Sequence, residues 1–180
     1  MGELRTERLL LRAWRDADLA PWAAMNADPA VREFLGRPLT LSESAASIEY
    51  FQTALDRDGF GFWAVEVAAT GEFIGFTGLD AVDDGLPFTG IEAGWRLARG
   101  AWGHGYATEA ARAVLDFGFG ELALPEILAV TARGNVRSQA VMRRLGMSTD
   151  PADDFDDPGA GLPHLRASVL HRKQRPGPAA

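Results

Sequence analysis

Hydrophobic positions change period several times along this chain, and each change marks an element. Leu9, Leu10 and Leu11, flanked by Arg8 and Arg12, predict a short first strand. Asp16 is placed to cap a helix running through Met25. Asp28-Pro29 opens a further helical turn, since Asp favours the cap and Pro the first helical position. Ala45, Ile48, Phe51, Ala54 and Leu55 recur at helical spacing, which predicts a third helix from Ser42 to Leu55. Period two then takes over. Trp63, Val65 and Val67 alternate with Ala64 and Glu66, Gly71 turns the chain, and Phe73-Ile74-Gly75-Phe76 returns as the second arm of a hairpin.

Ile91 to Leu97 predicts another strand, followed by a turn crowded with Gly100, Gly103 and Gly105. Beyond it Ala107, Ala110, Ala111, Val114, Leu115 and Gly118 fall on one helix face, small enough to sit close against a sheet. Ile127-Leu128-Ala129-Val130 reads as a buried strand. Asn135 caps a helix through Arg144, Gly146 stops it, and Ala167-Ser168-Val169-Leu170 closes the chain as a last strand. Hairpins in the first half and alternating strands and helices in the second imply a mixed α/β (α+β) domain with one central sheet.

The chain has 180 residues, enough for one domain with a substantial core. Residues 1–174 are expected to form it, and residues 175–180, rich in Pro and Gly, are expected to be a frayed tail. No apolar run approaches membrane-spanning length, and the first residues lack a signal-peptide core, so a cytoplasmic, membrane-free protein is expected. Cysteine is absent, which excludes disulfides and thiolate chemistry. Three histidines without an H-x-x-x-H pair argue against a metal. The formal net charge of −7 speaks against nucleic acid and suits a cationic partner such as an amine or a basic peptide. A monomer or a homodimer is expected.

The strand–glycine turn–helix passage concentrates the chemistry. Unpaired N–H groups at a helix start, at the positive end of its dipole, favour a phosphate. Two nucleotide motifs fit poorly. Gly103-x-Gly105-x-x-Thr108 lacks the third glycine of the dinucleotide fingerprint, and a P-loop needs Gly-Lys-Ser or Gly-Lys-Thr, whereas the only lysine is Lys173.

Trp102-Gly103-His104-Gly105-Tyr106-Ala107 resembles instead the pyrophosphate loop of the GNAT superfamily of acyl-CoA-dependent N-acyltransferases. Gly105 and Ala107 match that loop, while Trp102 replaces its usual Gln or Arg. Three further segments resemble the RimJ/RimL-type branch, the ribosomal-protein N-terminal acetyltransferases and their relatives. They are Leu4 to Arg12, Gly71 to Gly75, and Asn135 to Met147 with its Asn-x-x-Ser and terminal Leu-Gly-Met. The resemblance implies a single-domain GNAT fold: a twisted, mostly antiparallel sheet flanked by helices, with two parallel strands splayed into an acyl-CoA cleft. It implies acetyl-CoA as co-substrate and a primary amine, on a peptide or a small molecule, as acceptor.

The resemblance also distributes roles. Gly94 would mark a bulge that splays the strands, and backbone N–H groups near Trp95 would polarise the thioester carbonyl. Trp95 and Leu97 would flank the pantetheine arm. Trp102, Gly103, His104, Gly105, Tyr106, Ala107 and Thr108 would surround the pyrophosphate, chiefly through their amides. Asn135 would contact the pantetheine arm. Many relatives place a tyrosine seven residues further on to protonate the departing thiolate, but here that residue is Met142, so Ser138 inherits the role. Glu92, on the strand face opposite Ile91, Ala93 and Trp95, is the expected base. An α-amino group titrates at about 8 and lysine at about 10.4, so the former needs less help. Asp154, within the cluster Asp150, Asp153, Asp154, Asp156 and Asp157, would attract a cationic acceptor, and His164 is a second candidate base. Two rivals remain: a small-molecule amine acetyltransferase of the same fold, and a non-catalytic acyl-CoA-binding module.

Overall fold

The computed structural model describes residues 2–177. Its elements are β1 (Leu4–Arg5), β2 (Leu9–Arg12), α1 (Leu19–Ala27), α2 (Pro29–Arg32), α3 (Leu41–Asp58), β3 (Phe62–Val67), β4 (Glu72–Ala81) and β5 (Ile91–Leu97). There follow α4 (Tyr106–Gly120), β6 (Glu126–Ala132), α5 (Val136–Arg144), β7 (Ser148–Thr149), β8 (Phe155–Asp156), α6 (Pro163–Arg166) and β9 (Ala167–Gln174). One sheet runs β1-β2-β3-β4-β5-β6-β9-β7, with β8 paired to β9. Every pairing is antiparallel except β5 with β6, which α4 joins as a parallel crossover.

Phe62 and Trp63, consecutive on β3, point to opposite faces of this sheet and show what covers each. Phe62 packs on Phe51 of α3 and on Phe76, with ring centroids 5.3 and 4.7 Å away. Trp22 of α1 completes this layer 5.5 Å from Phe76. Trp63 meets Phe117 of α4 edge-on at 5.4 Å, beside the buried Ala110, Ala111, Val114 and Leu115. With both faces covered, Trp63, Ala64 and Val65 are all fully buried, so the alternation of apolar and polar positions stops short of an alternation in burial.

Several boundaries shift for definite reasons. Asp16 does not cap α1; it begins a 3-10 turn, Asp16–Asp18, and α1 starts at Leu19. Asp18 is the buried acid there, holding Arg12 through two hydrogen bonds of 2.7 and 2.9 Å and accepting from the Arg15 amide. The third helix begins one residue before Ser42 because Thr40 and Glu43 form a capping box, and it runs on to Asp58. β9 continues through the polar run His171–Gln174, whose residues pair with β6 and β7. Arg175 extends that pairing with an amide hydrogen bond to Pro125 O at 2.8 Å. Of the expected tail, residues 178–180 lie outside the described residues.

Gly94 answers to a cause other than a bulge. The β4–β5 register runs without a shift from Gly75↔Leu97 to Ala81↔Ile91. A Cβ on Gly94 would stand 2.8 Å from Cε1 of Phe62, so the close approach of that ring excludes a side chain. The strands part all the same. β5 and β6 share the single register pair Glu92↔Leu128, and beyond it the two diverge toward the start of α4.

Candidate active site

The divergence of β5 from β6 opens a cleft of about 1150 Å³. Its wall gathers Trp95 and Leu97 from β5, the continuous run from Trp102 to Thr108, and Asn135 and Ser138 from α5. Three segments far apart in sequence thus meet on one cavity. Ala30, Val31, Phe34 and Leu35, from α2 and the turn after it, form part of the opposite wall.

At the loop, Gly103 and Gly105 both take φ of +81°, a conformation that side chains rarely adopt. Gly105 is the N-cap of α4, and the Glu109 amide already bonds Gly105 O at 3.0 Å. The amides of Tyr106, Ala107 and Thr108 precede Glu109, the first to donate within the helix, and carry the positive end of the dipole into the cleft. The N-terminal strand region braces this turn. Glu109 accepts from the Arg8 amide at 2.9 Å and from Arg8 Nε at 2.7 Å, and Arg8 Nη1 donates to His104 O at 3.0 Å. The Arg8 guanidinium also lies 4.8 Å from the centre of the Tyr106 ring, which stacks on His104. Partial burial opposes ionisation of Glu109, but the hydrogen bonds from Thr6 and Arg8 hold its carboxyl below the usual range.

Trp102, in place of the usual Gln or Arg, anchors the loop to its strand by donating Nε1–H to Leu97 O at 2.8 Å. Its ring lies 4.7 Å beneath the guanidinium of Arg137, which also pairs with Glu33 at 2.6 Å. Arg137 thereby links the segment after α2 to α5 across the cleft.

At the start of α5, Asn135 caps the helix by accepting from the Ser138 amide at 3.2 Å, and its Nδ2 donates to Thr131 Oγ1 at 3.0 Å. Both ends of its amide are engaged. The Ser138 hydroxyl, by contrast, has no hydrogen-bond partner among the described residues and lines the cleft. Met142 lies in the core, 1% exposed.

The three residues expected to serve the acceptor do not line this cleft. Glu92 lies three residues before Trp95 on β5, at the register pair it forms with Leu128 before the strands part. Burial, followed by the charges of Asp83 and Asp80, raises its pKa to about 7. Asp80 also accepts from Tyr50 Oη at 3.0 Å, so Tyr50, Asp80 and Asp83 join Glu92 in a group that sequence reading missed. Asp154 is held by Arg133 at 2.9 Å and lines a separate hollow of about 250 Å³ with Arg143 and His171. Its neighbours are likewise engaged: Asp150 caps a turn at Ala152 N, and Asp153 holds Arg172. His164 is exposed on α6. Among the described residues no helix is long and apolar enough to cross a membrane, and no group of three or more metal-ligating side chains occurs.

A family model described as an acetyltransferase (GNAT) domain matches residues 8–148, and the chain belongs to that family. It is an acyltransferase of the N-acetyltransferase kind, built on a fold that uses acetyl-CoA. YkkB of Bacillus subtilis (strain 168) is 32% identical over 148 residues, covering 81% of this chain and 84% of that protein. The FsC-acetyl coenzyme A-N(2)-transacetylase of Aspergillus fumigatus is 31% identical over 148 residues, covering 77% of this chain and 62% of its own length. Among solved structures, an acetyltransferase from Agrobacterium tumefaciens str. C58 superposes with a TM-score of 0.78 at 30% identity, covering 97% of this chain and 95% of its own. RimL, a ribosomal L7/L12 alpha-N-protein acetyltransferase solved with coenzyme A, shares the fold at 13% identity and a TM-score of 0.77, over 96% of this chain and 98% of its own.

Proposed function

We propose that this protein is a RimJ/RimL-type N-acetyltransferase that moves an acetyl group from acetyl-CoA to a primary amine, a protein N-terminal α-amino group or a similar one. The observation that carries this reading is the convergence of Trp95 and Leu97, the run Trp102–Thr108, and Asn135 and Ser138 on one cleft at the N-terminus of α4. The amides of that helix start would hold the pyrophosphate, and the parted edge of β5 would flank the pantetheine arm. Acetyl-CoA supplies the acyl group as a thioester.

The chain's own groups then divide the proton traffic. Glu92, with its pKa near 7, accepts through water the proton that the acceptor ammonium must lose before its lone pair attacks. Backbone N–H groups on the free edge of β5 near Trp95 stabilise the negative charge that develops on the carbonyl oxygen. As the new C–N bond forms and the C–S bond breaks, the Ser138 hydroxyl gives a proton to sulfur and regains one, through water, from the nitrogen as it becomes the amide. No covalent enzyme intermediate is needed.

A small-molecule amine acceptor is the second reading, favoured by the similarity to the FsC transacetylase. Thiol release from acetyl-CoA, measured over matched panels of N-terminal peptides and small amines, separates the two. Turnover on peptides supports the first reading, and turnover confined to small amines supports the second.

A further inference from the structure

On the sheet face opposite α4, β5 carries the guanidinium of Arg96, which no carboxylate among the described residues pairs with. Arg96 lies over the rings of Trp22 and Phe76, 5.1 and 5.3 Å from their centres. Its Nη1 donates to Asn26 Oδ1 at 2.7 Å, and Asn26, fully buried, donates in turn to Ser44 Oγ at 3.2 Å. Nε is buried without a partner, Nη2 has none among the described residues, and the side chain lines the cleft. Arg32, buried on α2, is spent on the carbonyls of Leu35 and Arg37 and adds like charge nearby. Burial, and then the charge of Arg32, lower the pKa of Arg96.

Elsewhere the chain does answer a buried cation. Arg12, 3% exposed, has the carboxylates of both Asp18 and Glu66. Neither Arg96 nor Arg32 has an ion-pair partner among the described residues, although the protein's net charge is −7. An unanswered cation in a water-poor setting is costly, and sites that receive an anion are where such a cost is borne. Arginine's planar fork suits a carboxylate, and here two aromatic rings and Asn26 fix its plane in advance. The pyrophosphate loop belongs to α4, on the other face of the sheet, so the phosphates of CoA have their own donors.

We propose that Arg96 recognises a carboxylate carried by a substrate of this cleft, either on the amine acceptor or at the free end of a dicarboxylic acyl chain. The proposal rests on the acyl-CoA reading of the cleft given above.

Two experimental arms distinguish the sources. In the acyl arm, dissociation constants of CoA, acetyl-CoA and succinyl-CoA are measured for the wild type, Arg96→Met and Arg96→Lys. In the acceptor arm, kcat/KM with acetyl-CoA is compared for amino acids against their carboxamides, and for peptides beginning in Asp or Glu against Asn or Gln. The wild type is expected to prefer the carboxylate by about tenfold or more in one arm, the usual worth of a charged hydrogen bond. Arg96→Met should erase that preference, Arg96→Lys should retain part of it, and CoA itself should bind all three proteins alike. Absence of a carboxylate preference in the wild type in both arms overturns the proposal, whether or not the variants fold. So does a preference that survives Arg96→Met, or a loss of CoA affinity as large as the loss of preference. Failure of CoA to bind the wild type would instead remove the underlying acyl-CoA reading.

Discussion

Glu109, in the first turn of the helix that follows the glycine loop, grips Arg8 through both its backbone amide, at 2.9 Å, and its Nε, at 2.7 Å. The two residues lie 101 positions apart, and their contact ties the edge of the sheet to the glycine turn, since Arg8 also holds His104 O. Glu109→Gln is therefore expected to loosen the turn. Isothermal titration should show acetyl-CoA affinity falling by about three- to tenfold, and denaturation should show a loss of about 1 kcal/mol, with the larger effect on binding.

Glu92 should set the acid limb of activity. With its pKa near 7, kcat/KM is expected to rise through pH 7, and Glu92→Gln should lower the rate and flatten that limb. The sign for stability is the reverse. The folded state holds this proton more tightly than the unfolded one, so stability declines as pH rises from about 4.5 to about 7. Glu92→Gln should remove that decline and leave the protein more stable than wild type at pH 8, by about 1–3 kcal/mol in urea denaturation.

Ser138 and Asn135 are separable by what each change removes. Ser138→Ala keeps the backbone amide that Asn135 caps, so the fold and CoA affinity should stay near wild type while kcat falls about 10- to 100-fold. Asn135→Ala removes the cap and should cost about 1 kcal/mol of stability. An unchanged kcat in Ser138→Ala would take the proton-donor role away from it.

Gly94→Ala tests the packing account of that glycine. The added methyl meets a Phe62 ring already wedged between Phe51 and Phe76, so a loss of about 1–3 kcal/mol is expected. Phe62→Leu in the same chain should recover part of it, with thermal unfolding as the readout.

What was legible in the sequence was local. The glycine turn, the helix face after it, the Asn135 cap and the strand Ile91–Leu97 each announce themselves through neighbouring residues, and their convergence on one cleft follows from the fold those motifs imply. What was hidden depends on distant partners. Gly94 looked like a bulge because its neighbour across the face, Phe62, lies 32 positions upstream, beyond any local pattern. Asp16 looked like a cap, although nearby Arg12 and the Arg15 amide draw on Asp18 instead, a choice between two close carboxylates that no spacing rule makes. Asp154 and its neighbours looked like a free acidic patch, but Arg133 and Arg172 engage two of them. Arg96, a polar residue on a strand, gave no hint of the aromatic and amide setting that α1 supplies.

The central claim is that the Gly103–Thr108 turn holds the pyrophosphate of CoA, and thermal unfolding in the presence of CoA tests it most directly. At 100 times its dissociation constant a ligand adds about 2.7 kcal/mol, so the midpoint should rise by several degrees. Gly105→Val, strained at φ of +81° and with Arg8 Nη2 3.6 Å from the added Cβ, should lose the shift, its cooperative unfolding without CoA showing that it folds. An unchanged wild-type midpoint at millimolar CoA would contradict the claim.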